Sequence, residues 1–112
     1  PFVWYYDKAD TYYARVRDVV RQFTGKDSGG LALMESKDAI DWRPTTHPKV
    51  LPAQITWADG SYYDADRLSF ERPFMLMDKS GTPTFLFGAC SITENGKRRA
   101  HSFNMRVPLR IL

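Results

Sequence analysis

The chain is poor in the residues most used for metal and nucleophilic chemistry. Its 112 residues hold one cysteine, Cys90, and two histidines, His47 and His101. A single cysteine excludes an internal disulfide, and no Cys–His signature of a thiol hydrolase surrounds it. Lying in the apolar run FLFGACS, Cys90 reads as a small core residue. The cysteine and histidines lack the spacing of a zinc site, so no metal or other cofactor is expected. A glycine-rich phosphate loop, a nucleotide fingerprint and a Ser-His-Asp arrangement are also missing. No apolar run approaches the length of a membrane-spanning helix, and no secretory leader is legible. Charge of one sign is scarce as well: the net charge is +3, and Lys97-Arg98-Arg99 is the one tight basic cluster. That cluster follows the turn signal Asn95-Gly96 and reads as a solvated loop. Neither nucleic acid nor a membrane is expected as a partner. The rival reading, a small basic binding protein using Lys97–Arg99, would show a steep salt dependence of binding.

What the chain does have is β-forming apolar residues in a repeated pattern. Hydrophobic residues make up 43% and aromatic residues 14%. Residues 1–18 read PFVWYYDKADTYYARVRD and residues 73–91 read PFMLMDKSGTPTFLFGACS. Both run Pro-Phe, an apolar stretch, Asp-Lys, a polar turn with Thr, then a second aromatic stretch. Each copy has the pattern of a β-hairpin. A hairpin recurring at roughly 70 residues points to small antiparallel sheets in a repeat architecture.

Strands are predicted at Phe2–Tyr6, Thr11–Asp18 and Gly30–Ser36, with a short fourth at Gln54–Trp57. Pro44, Pro48 and Pro52 make the segment from Thr45 irregular or an edge. A second set is predicted at Phe74–Met77, Thr84–Ser91 and His101–Val107. Near-helical spacing of Val16, Val19 and Val20 is outweighed by their β-branched character, leaving at most one turn after Asp18. The fold class is therefore all-β, with two propeller-blade-like antiparallel sheets, a partial five-bladed β-propeller. The whole chain, 1–112, forms one partial-propeller domain. One blade-like unit spans 1–57, a connection spans 58–71, and a second unit spans 72–112. Two blades leave sheet faces open, so the expected partners are a second copy of the chain or a missing propeller half.

The stretch Ser36-Lys37-Asp38-Ala39-Ile40-Asp41-Trp42 reads as a tight turn capped by Ser and Asp and sealed by tryptophan. In order, PFVWYYD, YYARVRD, FTG, GLALMESKDAIDW, ITWADG, FERPFMLMDKSGTPTFLFGA and HSFNMRVPL cover nearly the whole chain. This succession resembles the later part of a five-bladed propeller glycoside hydrolase of family 43 or family 117. The usual turn motif there has glycine where this chain has Ala39.

The resemblance implies hydrolysis of glycosidic bonds by carboxylates: one protonates the leaving oxygen, another activates water, and a third tunes the acid. It implies Glu71 as the acid and Asp18 as its modulator. Arg72, His101 and Trp57 become candidate sugar-binding residues, with Trp57 able to stack on a sugar ring. In those families the general base lies on an early blade, outside the matched residues. A chain without it is expected to be inactive alone. Plainer readings stay open: Asp18 ends a strand or pairs with Arg15 or Arg17, and Glu71 pairs with Arg72. So does a second function, a non-catalytic carbohydrate-binding or structural oligomerising β module.

Overall fold

The computed structural model describes residues 1–25, 30–51, 54–64, 68–94, 97–98 and 102–109. Ten strands follow one another: β1 (Phe2–Tyr6), β2 (Thr11–Arg17), β3 (Leu31–Ser36), β4 (Arg43–Lys49), β5 (Gln54–Thr56), β6 (Tyr62–Asp64), β7 (Leu68–Met77), β8 (Pro83–Glu94), β9 (Lys97–Arg98) and β10 (Phe103–Pro108). The one helical element among the described residues is a single 3₁₀ turn at Asp7–Ala9. The protein is all-β, built from three antiparallel sheets.

The first sheet is a meander in chain order, β1-β2-β3-β4. Aromatic and β-branched side chains fill its first hairpin, where they pack well on a pleated surface. Trp4 lies opposite Tyr13 and Tyr5 opposite Tyr12; their rings lie 5.5 and 5.0 Å apart. The fourth place in this sheet belongs to β4, not to the short strand expected at Gln54–Trp57. Pro44 and Pro48 are tolerated in β4 because it is the sheet's edge, where a missing N–H breaks few ladder bonds. Its register against β3 shifts between Ala32 and Met34. Gln54–Thr56 instead pairs with Tyr62–Asp64 as a separate ribbon.

The second sheet runs β10-β8-β7, with β9 on the far end of β8. Both halves of the sequence repeat are hairpins, β1–β2 and β7–β8. The second is longer than expected, because β7 begins at Leu68 rather than Phe74. Glu71 therefore lies within a strand instead of preceding one.

The core forms where the second sheet meets the first sheet and the ribbon. Its largest fully buried side chains are Phe70, Leu31, Leu51, Met75, Leu86 and Cys90. Burial pushes the Cys90 thiol up to about 12, against a small opposing pull from a hydrogen bond with the Met105 backbone. Its place in the core matches the reading from sequence. A bulge interrupts β7: Glu71 faces Ala89 and Phe74 faces Phe87, leaving Arg72 and Pro73 across from Gly88 alone. Gly88 leaves room for the Phe70 ring, which a Cβ there would strike.

Two outcomes follow from this packing. Gly88→Ala should lower the unfolding free energy by about 1–3 kcal/mol, the usual range for overpacking a core, read as a shift of the urea midpoint. Cys90 should resist a disulfide-exchange thiol reagent in the native state and react promptly in denaturant; fast native labelling would contradict its burial.

Candidate functional site

The sequence candidates converge in part on the seam where β2 meets β7. Arg17, the last residue of β2, forms an ion pair with Glu71 of β7 through Nη1 and Oε1. The Ser69 hydroxyl donates to the same oxygen at 3.3 Å. The pair is open to solvent, with side-chain exposures of 45% for Arg17 and 37% for Glu71. An exposed pair of this kind contributes roughly 0.2–1 kcal/mol. Glu71 is thus positioned and accessible, held by a cation and a hydroxyl that both donate to it. Its partner is Arg17, not the neighbouring Arg72.

Asp18 follows directly on Arg17 but does other work. It is buried at 6% exposure. Its Oδ1 accepts the Gln22 N–H at 2.9 Å, and Oδ2 accepts the N–H groups of Phe23 and Thr24 at 2.8 and 2.9 Å. The Thr24 hydroxyl donates to Oδ2 as well, at 2.9 Å. Burial alone would raise this carboxyl, but the four hydrogen bonds outweigh it and hold the group below the usual carboxylate range. With both oxygens occupied, Asp18 fastens the loop after β2, where the backbone turns once through Arg21 at φ 55°. Neither Arg15 nor Arg17 is its partner: Arg15 Nε donates to the Met75 sulfur at 2.8 Å.

Arg72 sits in the β7 bulge with φ at 50°, one residue from Glu71, and its side chain is exposed. The left-handed backbone turns it out of the ladder while Pro73 stays buried. His101 lies outside the described residues. Trp57 lies elsewhere, its ring edge-on to Tyr63 and Phe103 at 6.3 and 5.8 Å. It borders a groove of about 740 Å³ between β5 and β10, with Gln54, Phe85, Asn104 and Arg106. Because β10 and β7 are opposite edges of the second sheet, Trp57 and Glu71 do not share a site. Asn104 and Arg106 were not singled out from sequence, although their alternation with Phe103, Met105 and Val107 marks them as one polar face of a strand.

The turn after β3 is a self-contained cap. The Ser36 hydroxyl accepts the Ala39 N–H at 2.9 Å, and Asp38 Oδ1 accepts the N–H groups of Ile40 and Asp41, both at 2.9 Å. Trp42 Nε1 donates to the Ala39 carbonyl at 3.2 Å. Lys37 Nζ reaches back to the carbonyls of Ala9 and Asp10 and to the Thr11 hydroxyl, tying this turn to the first hairpin. Ala39 takes φ 63°, the left-handed region that suits glycine and strains a residue with a Cβ.

Among the described residues, no three His, Cys, Asp or Glu side chains gather as a metal site would require. No helix among them is long and apolar enough to cross a membrane. Comparison with protein-family models, curated proteins and solved structures returned no match.

Asp18→Asn should destabilise the protein by about 1–3 kcal/mol, since the amide leaves backbone N–H groups facing a donor. The depressed carboxyl pKa fixes the sign of the pH dependence. Its stabilisation is fully present above the unfolded carboxyl's value and disappears as pH falls through the lower folded value. The gap between wild type and Asp18→Asn in urea midpoint should therefore be widest near about pH 7 and narrow as pH falls below the ordinary carboxyl value of about 4. Ala39→Gly should raise stability by about 1 kcal/mol by relieving the left-handed backbone, and thermal melts would register it.

Proposed function

We propose that the chain is a two-blade piece of a carbohydrate-active propeller related to the five-bladed glycoside hydrolases, incomplete as a catalyst by itself. It contributes one accessible carboxylate, Glu71, to a sugar-facing seam. The observation that carries this reading is the meeting of two antiparallel meanders at their leading hairpins, with Arg17 and Glu71 at the join. Propeller blades meet in that way, their first strands nearest a common axis. The order of motifs along the chain supports it further.

Chemically, Glu71 suits one of the paired roles that glycoside hydrolysis needs. As it stands it accepts from Arg17 and Ser69. To act as an acid it would have to exchange those donors for a proton and a leaving-group oxygen. Asp18 contributes indirectly, by fixing the loop next to Arg17. No second free carboxylate joins Glu71 among the described contacts, and a missing acid or base typically lowers the rate by about 10²–10⁴-fold. The chain alone binds sugar weakly on this reading and does not turn it over.

The groove beside Trp57 favours a second reading, a non-catalytic carbohydrate-binding module. An aromatic ring bordered by Gln54, Asn104 and Arg106 offers an apolar surface with polar neighbours, the usual composition of a small-ligand site.

Titration with xylo- and arabino-oligosaccharides, followed by amide and indole NMR shifts, separates the two. Shifts centred on Arg17 and Glu71, lost in Glu71→Gln, support the first reading. Shifts centred on the Trp57 indole support the second. No shift at either place rejects both. Release of nitrophenol from aryl arabinofuranosides or xylosides by the chain alone, abolished in Glu71→Gln, would overturn its incompleteness.

A further inference from the structure

The two hairpins of the repeat can be superposed residue by residue through their registers. In the first, Phe2 lies opposite Arg15 and Trp4 opposite Tyr13. In the second, Phe74 lies opposite Phe87 and Leu76 opposite Phe85. Residues paired across antiparallel strands point to the same side of the sheet. Phe2, Trp4, Tyr13 and Arg15 therefore form a front face equivalent to Phe74, Leu76, Phe85 and Phe87. Val3 and Tyr5 form a back face equivalent to Met75 and Met77.

Within the chain, the front of the first hairpin packs against the back of the second. Phe2 and Trp4 pack against the core that holds Met75, and Arg15 donates to the Met75 sulfur at 2.8 Å while lying 5.9 Å from the Trp4 ring centre. Met75 is left 2% exposed. The two complementary faces are open. On the back of the first hairpin, Val3 is 49% and Tyr5 47% exposed. On the front of the second, Phe74 is 54% and Leu76 47% exposed, although the Phe74 ring edge reaches Phe2 at 5.2 Å. Half-buried Phe85 and Phe87 extend that front, 6.4 Å apart.

The protein thus uses a front-to-back contact once and carries the unused half of it at each end. We infer that these open faces bind each other between copies of this chain, the front of the second hairpin of one molecule seating on the back of the first hairpin of the next. The occupant is a second copy because the open back occupies the repeat positions that already receive a front within the chain. The contact is heterologous: different surfaces meet, so it propagates into a ring or an open chain rather than stopping at a two-fold dimer. It rests on the packing of the two hairpins that also carries the proposed function, but on no sugar chemistry, so a failure of oligosaccharides to bind leaves it standing.

Two exposed single substitutions test it. Val3→Asp blocks the back and Leu76→Asp blocks the front. The expected result is a wild-type mass in sedimentation or light scattering that grows beyond a dimer with concentration. Each variant alone should associate at least about tenfold more weakly, as expected for a charge placed at the centre of an apolar contact. An equimolar mixture of the two should form a one-to-one heterodimer and no larger species, since one intact front and one intact back remain. A wild-type monomer at every accessible concentration overturns the inference. So does a mixture that stays monomeric, or self-association that survives in both variants, which would indicate a symmetric interface elsewhere. Circular dichroism confirms folding, and Val3→Ser with Leu76→Ser repeats the test should either aspartate unfold the chain.

Discussion

The packing of β1 and β2 against Met75 of β7 is the contact on which the remaining structure depends. A single meander buries only one face at a time, and it needs a covering layer to be stable. The first sheet contributes Leu31 to the common core, with Phe2 and Trp4 at its border. The second sheet contributes the larger share, including Phe70, Met75 and Leu86. Arg15 lies across the join, and desolvation lowers its guanidinium to about 10, leaving it charged at neutral pH. Its stem and planar head cover apolar surface that a shorter cation would leave wet. Without this contact Arg17 and Glu71 would not meet, because they come from different sheets.

Much of the acidic chemistry of this chain serves the backbone. Asp18 binds the loop after β2. Asp38 is held below the usual carboxylate range by the N–H groups of Asp41 and Ile40. Asp59 is held there by the hydroxyl and N–H of Ser61, and Asp78 by the Ser80 hydroxyl and the Thr82 N–H. Each ends a strand by satisfying N–H groups that the ladder no longer pairs. Carboxylates so occupied are poor proton carriers, because protonation breaks the bonds that fold the turn. Glu71 differs by presenting its carboxylate to a side chain and to solvent, which is why the functional reading centres on it.

The repeat has a similar economy with unequal details. Asp7 and Asp78 occupy corresponding places, and the carbonyl of each closes its turn by accepting the N–H three residues on, from Asp10 and Gly81, both at 3.1 Å; Asp78 adds its side chain, which accepts the N–H groups of Ser80 and Thr82. In the first hairpin it is Asp10 whose carboxylate is engaged, accepting the Tyr5 hydroxyl at 2.6 Å.

Alternating apolar residues, Asp-Ser turns and the Pro-Phe repeat are local signals, and by themselves they determined the all-β class, both hairpins, the capped turn at Ser36–Trp42 and the burial of Cys90. Local pattern was silent wherever partners far apart in the chain compete. Prolines marked the segment from Thr45 as irregular or an edge, but local pattern could not choose between the two, nor tell that Gln54–Thr56 would pair elsewhere, because an edge place depends on which neighbour is already present. It could not tell that β7 would extend back to Leu68 through a bulge. Asp18 and Glu71 were legible as candidates, but their partners were not. Tertiary structure alone decided that Asp18 turns inward to its own loop and that Glu71 meets Arg17, since hydrogen bonds and charge pairs are set by distance in space, which sequence spacing does not carry.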